Sequence, residues 1–196
     1  MTTSTRERLL DATWALLRDE GVVAATSRRI TSAAGANLAA ITYHFGSKDD
    51  LVGQAVAQQL RTWTAPLTSA LTRETTDIAE HDIQVASAVV EMLSRLAADT
   101  GDVNAIVALV LARPDTPGVR DAIVGWMTEL RAVASAVMAR QQAAGFIPPS
   151  VTPSIMAAVF TAFALGLAAQ ASLDPDAPAT ASVVGEFLGL LVRPNG

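Results

Sequence analysis

The chain has no cysteine, two histidines and one tyrosine. Without cysteine there is no disulfide framework and no thiolate metal site, a composition consistent with a reducing cytoplasm. The histidines, His44 and His81, stand far apart, and no His, Asp, Glu or Ser cluster surrounds them at a productive spacing. Neither an enzyme site nor a metal site is therefore legible, since His81 with Asp82 does not make one, and no cofactor is expected. Charge is also scarce: 17% of residues are charged against 51% hydrophobic, and the net charge is −5. That balance permits a large core with apolar surface left over for a subunit interface, and it argues against general affinity for polyanions. The N-terminus has no apolar stretch of the signal-peptide kind. Period-2 alternation, internal repeats and low-complexity tracts are absent, so an all-α fold of about nine helices is expected.

The longest apolar run, residues 155–169 (IMAAVFTAFALGLAA), is shorter than the roughly 20 residues a membrane span needs. Pro153 precedes it, and Gln170 and Asp174 follow it. It reads as a helix buried on all sides, and no membrane partner is expected.

What is present is concentrated in residues 26–51, TSRRITSAAGANLAAITYHFGSKDDL. Ser27 can cap a helix whose Ile30 and Ala34 share one face, and Gly35 can end it in a left-handed conformation. After Ala36, Asn37 can cap a second helix over Leu38–Phe45 that buries Ile41 and Phe45. Gly46 stops that helix, and Ser47 caps the next, with Asp49 and Asp50 in the first turn where the helix dipole favours them. Two short helices joined by a Gly-containing turn make a helix-turn-helix, the second helix of which enters the major groove of DNA. The charge distribution suits this reading. Residues 1–50 hold six Lys/Arg and six Asp/Glu, whereas residues 51–196 hold eight and thirteen. The acid lies away from the motif.

The remaining periodicity predicts helix 1 from Ser4 or Thr5 to Glu20 and a fourth helix from Lys48 that Pro66 kinks or ends. Residues 68–80 read as a loop or a frayed end. Further helices are expected at about 81–98, at 105–111 after a break at Gly101-Asp102, from Pro117 to about 144, and at about 153–172 and 179–192.

Residues 5–52 resemble the N-terminal domain of the TetR family of transcriptional regulators. The resemblance rests on Arg8-Leu9-Leu10-Asp11-Ala12, Leu16-Leu17, Gly21, Thr26, Ile30, Ala33-Ala34-Gly35, Ile41-Thr42-Tyr43-His44-Phe45 and Ser47-Lys48-Asp49-Asp50-Leu51. It covers about a quarter of the chain. It implies a DNA-binding domain over 1–50 and a ligand-binding and dimerisation domain over 51–196. The implied function is a transcriptional regulator, a repressor that leaves its operator when a small apolar or amphipathic effector binds.

On that footing Leu38, Ala39, Ala40 and Thr42 are candidates to face bases, with Asn37 at the start of the reading helix. Alanine and threonine methyls suit thymine methyls, and the Thr42 hydroxyl can bond a base edge. No Arg, Lys or Gln stands among them, so specificity leans on DNA shape or on Arg28 and Arg29. Tyr43, His44 and Lys48 resemble the family's phosphate-contacting positions; for His44 a core-packing role stays open. Arg28, with Thr26 and Ser27, can reach a phosphate, and Thr5 and Arg6 are further candidates. Trp63, Met92, Trp126, Met127, Phe160 and Phe163 are candidate walls of an effector pocket, though each also suits plain core. Ala164, Gly166, Leu167 and Ala168, with Val184, Phe187, Leu188 and Leu191, are candidates for a two-fold interface made by the last two helices. The expected partners are palindromic double-stranded DNA, an effector of unknown identity and a second copy of the chain, in the cytoplasm. The competing reading is a helical protein-interaction or lipid-binding module with a vestigial DNA-binding head.

Overall fold

The computed structural model describes residues 3–73, 100–111, 116–145 and 147–174. Every regular element among them is helical: α1 (Thr5–Glu20), a 3-10 turn (Val22–Ala24), α2 (Ser27–Ala34), α3 (Leu38–Phe45), α4 (Lys48–Thr72), α5 (Thr100–Leu111), α6 (Pro117–Ala143) and α7 (Pro153–Leu173). The expected helices at 81–98 and 179–192 lie outside the described residues. By contact the chain divides into two compact units, Met1–Thr62 with Asn104–Trp126, and Trp63–Val103 with Met127–Gly196.

In the first unit, each of the first four helices starts on a side-chain cap. Ser4 accepts from Glu7 N at 3.2 Å and the Glu7 carboxylate accepts from Ser4 N at 2.8 Å, a reciprocal capping box. The Ser4 backbone N–H, and then its hydroxyl, hold the Glu7 carboxyl below its ordinary range. Thr26 caps α2, Asn37 caps α3 through Ala40 N at 2.9 Å, and the Ser47 hydroxyl accepts from Asp50 N at 3.0 Å. The cap of α2 is thus Thr26 and not Ser27. Thr26 has the extended backbone a cap requires, whereas Ser27 is already helical and its carbonyl accepts from the Thr31 hydroxyl.

The core beneath these helices is Leu9, Leu10, Trp14, Leu17, Ile30, Ala34, Ile41, Phe45, Leu51, Val52 and Val56. The apolar face of α1 supplies the first four, at helical spacing. Arg8 ties α1 to α2 by donating to the Ala34 carbonyl at 3.0 Å, one of the orphan acceptors at a helix C-terminus. Glu20 and Arg29 form a second tie, with N–O distances of 2.8 and 2.5 Å. Deeper in this unit α4 and α6 cross with backbone against backbone. A Cβ at Gly53 would lie 2.6 Å from the Gly118 carbonyl oxygen, and one at Gly118 would lie 2.5 Å from that of Asp49. Val119, Ile123 and Trp126 bury the adjoining face of α6.

Two sequence expectations are corrected here. Pro66 neither ends α4 nor confines it to a shorter length, since the helix runs to Thr72. Proline at 66 removes the bond to the Thr62 carbonyl, but Thr62 is exposed, so water can replace it. The Thr62, Thr68 and Thr72 hydroxyls donate to carbonyls one turn back, adding bonds on both sides of the proline. Thr68 to Thr72 accordingly form the end of α4, the helix-end alternative and not the loop. Gly101 and Asp102 are themselves helical, in the first turn of α5, where Asp102 suits the dipole; the residues before Thr100 lie outside the described residues.

In the second unit, Gln142 donates to the carbonyls of Pro148 and Val151 at 2.9 and 2.8 Å and braces the corner between α6 and α7. Gly145 turns the chain there at φ +84°. Helix α7 is not buried on all sides. Ala157 and Thr161 are buried, while Ile155, Ala158, Val159 and Ala162, at the i, i+3, i+4, i+7 spacing of a stripe, are exposed in the single chain. By length and composition α6 could cross a membrane, with a window of mean hydropathy 1.3. Arg120, Asp121, Glu129, Arg131 and Arg140 stand exposed along it.

Candidate DNA-reading site

Helices α2 and α3, joined through Gly35, Ala36 and Asn37, form the motif expected from sequence. Gly35 takes φ +58°, ψ 42°, the left-handed conformation that ends α2. The buried side of α3 is Ile41 and Phe45. The opposite side presents Leu38, Ala39, Thr42 and Tyr43, all exposed, with Leu38 at 53% and Tyr43 at 84%. Ala40 and His44 are half-buried on the flank. Leu38 and Tyr43 thus leave two large side chains in solvent on one side of a helix of eight residues.

The rings of Tyr43 and His44 meet edge to face, with centroids 4.8 Å apart at 82°, and His44 stands 6.2 Å from Phe45. His44 therefore links the outward Tyr43 to the inward Phe45. Phe45 is capped by the Arg6 guanidinium 5.2 Å from its ring centroid, and Arg6 also donates to Gln54 at 2.7 Å. The Lys48 ammonium lies 3.1 Å from Asp49, an exposed pair worth little in water and open to exchange for a phosphate. At the start of α2, Thr26 and Arg28 are exposed and Ser27 is half-buried. The Thr26 hydroxyl serves Arg29 N, leaving the amides of Ser27 and Arg28 without an intrahelical acceptor, as first-turn amides are.

The Arg29 guanidinium is committed to Glu20 and does not point toward a base, which sequence spacing did not reveal. The hydrogen bonds that it donates hold the Glu20 carboxyl below its ordinary range. A depressed carboxyl stabilises the fold above its unfolded value of about 4.3, and that contribution is lost as pH falls through the folded value. We expect the melting temperatures of the natural chain and of Glu20→Gln to differ at pH 7 and to converge as the pH is taken below about 4. A constant difference down to pH 3 would mean that the ion pair contributes nothing to the α1–α2 tie.

The effector-pocket candidates fall in both units. Trp126 is buried in the first unit, while Trp63, Met127, Phe160 and Phe163 are half-buried in the second, and Met92 is outside the described residues. A groove of about 480 Å³ lies elsewhere, against α1 and α2, but it is open to solvent. Of the interface candidates, Gly166 and Leu167 are half-buried on α7, and among the described residues nothing lies within 4 Å of the position a Cβ would take on Gly166. The side chains of Ala164 and Ala168, and all of Val184, Phe187, Leu188 and Leu191, lie outside what is described. Among the described residues no group of three His, Asp or Glu is placed to hold a metal.

Residues 9–55 match the family described as bacterial regulatory proteins, tetR family. No curated protein matches the chain. Among solved structures, it is similar to SmeT, the repressor of the Stenotrophomonas maltophilia multidrug efflux pump SmeDEF, with 19% identity and a TM-score of 0.76, covering 99% of this chain and 93% of that one. It is similar to NalD, the secondary repressor of the MexAB-OprM multidrug efflux pump in Pseudomonas aeruginosa, at 21% identity and TM-score 0.70, covering 98% and 97%. The regulator FadR from Bacillus subtilis, solved with stearoyl-CoA, shares 14% identity at TM-score 0.74, covering 95% and 97%. Residues 9–55 thus carry the sequence match to the tetR family, and the fold is shared with these structures over nearly the whole length of the chain.

Proposed function

We propose that the protein is a homodimeric repressor, working in the cytoplasm on a palindromic operator and released by a small apolar or amphipathic effector. Residues 1–50 would be the reading head and residues 51–196 the effector and dimer domain. The observation that carries this reading is the outward face of α3, where Leu38, Ala39, Thr42 and Tyr43 are exposed opposite a fully formed core. Tyr43, His44, Lys48, Arg28 and the free amides of Ser27 and Arg28 would grip phosphates, setting register without reading sequence. The exposed apolar stripe of α7 suits a second copy of the chain, which would set two heads one helical turn apart. Efflux-pump repressors and an acyl-CoA-bound regulator among its structural relatives support an effector with a large apolar part. Such an effector acts only through unequal affinity for the two states of the protein.

The test is a mobility-shift titration with DNA flanking its own coding sequence. The Tyr43→Ala, Lys48→Ala double variant should fold normally and bind more weakly on every sequence. Loss of the lysine should also reduce the slope of log affinity against log salt by about one per head. Unaltered binding would remove both residues from the phosphate grip. A thermal-shift screen of apolar metabolites identifies the effector, since a compound at a hundred times its Kd stabilises by about 2.7 kcal/mol.

A further inference from the structure

The cations of the head decide how α3 can read DNA. Residues 1–50 carry six Lys/Arg. Arg6 is held by Gln54 and Phe45, Arg8 by the carbonyls of Ala34 and Thr3 and by the Thr5 hydroxyl, Arg18 by Asp19, Arg29 by Glu20, and Lys48 by Asp49. Arg28, at the start of α2, is the one without a side-chain partner among the described residues, and it is not on α3. Bidentate readout of guanine needs Arg or Lys and that of adenine needs Asn or Gln. The outward face of α3 has none. Asn37 precedes the helix, with its carbonyl oxygen spent on Ala40 N.

What the face does carry is methyl groups. Leu38 and Thr42 stand four residues apart on one line of the helix, and Ala39 lies beside them. Four residues rise about 6 Å, close to two base steps. In the major groove the only apolar group is the 5-methyl of thymine. We infer that α3 reads its half-site through thymine 5-methyl groups, packed against Leu38, Ala39 and the Thr42 methyl within two or three consecutive base pairs. This rests on α3 being the reading helix. Packing against such methyls would also cover the exposed Leu38.

The experiment uses the full chain at fixed salt. Bound duplexes are first selected from random sequence, and each thymine of the selected half-site is then replaced by deoxyuridine, which deletes only the methyl. At two or more positions each replacement should weaken binding roughly fourfold, the worth of one buried methyl, and 5-bromodeoxyuridine should restore it. In Leu38→Ala the uracil and thymine duplexes should bind alike at one of these positions, and in Thr42→Ser at another, as coupled pairs do. A tight, selected duplex on which no deoxyuridine has an effect overturns the inference, as does a selected half-site without thymine. Failure to enrich any sequence is a different result: it overturns the reading of α3 as a DNA-reading helix.

Discussion

Gly53→Ala should lower the melting temperature of this protein, and Gly125→Ala should raise it. Both glycines are interior helix positions, and on propensity alone each replacement by alanine should stabilise by up to about 1 kcal/mol. At Gly125 nothing among the described residues lies within 4 Å of the new Cβ, so the propensity gain survives, and it amounts to about 2–4 °C for a chain of this size. At Gly53 the new carbon would sit 2.6 Å from the Gly118 carbonyl oxygen and 2.7 Å from its carbon. Those are backbone atoms and cannot swing aside. Helix α4 must move away from α6, and overpacking of this kind costs about 1–3 kcal/mol, occasionally more, which outweighs the gain. Gly118→Ala, whose Cβ meets the Asp49 carbonyl at 2.5 Å, should behave the same way. Helix α4 begins two residues after α3 ends, so the displacement arises next to the reading helix. Operator affinity should fall in the Gly53 and Gly118 variants and hold in Gly125→Ala. Thermal or urea unfolding beside a mobility-shift titration gives both readouts. Equal melting temperatures for Gly53→Ala and Gly125→Ala would mean that the crossing is loose.

Phe45→Ala should be the most damaging single truncation in the head, at about 3–5 kcal/mol. Phe45 is 7% exposed, closes the core beneath α3 and supports the Arg6 guanidinium on its outer side. Its loss leaves a cavity and frees the cation together. Tyr43, two positions earlier, is 84% exposed, and its truncation should change stability by no more than about 0.5 kcal/mol. The two aromatic residues therefore separate two measurements. Tyr43→Ala should keep the urea midpoint and weaken DNA binding, whereas Phe45→Ala should shift the midpoint and lose binding as a consequence. A matching loss of stability in both variants would show that Tyr43 also packs the core.

The motif was legible in sequence because its signals are local. Asn37, Ser47, Gly35 and Gly46 act within one turn of where they stand, and each terminus they mark is where it was expected. Thr26 was displaced by its neighbour Ser27 because two adjacent hydroxyl residues make equally good caps, and only the backbone angle separates them. Pro66 does not end its helix because proline weakens a helix by about 3 kcal/mol, and an element held by other contacts absorbs that cost. The commitment of Arg29 to Glu20 spans nine residues and the turn between two helices, so no periodicity could disclose it. Nor could spacing disclose that Gly53 and Gly118 touch. Lone glycines in helices look like weak points until their neighbour is known.

The pairing of four of the six head cations, Arg6, Arg8, Arg18 and Arg29, within the head has a consequence on the scale of the chromosome. A regulator must find a few operators among millions of overlapping sites that it does not recognise, and every arginine left free for phosphate strengthens its hold on those decoys as much as on the target. A neutral head on a body of net charge −5 is sparsely retained by bulk DNA. Few copies per cell are then sequestered, and occupancy of the operator tracks the number of molecules made rather than the mass of DNA present.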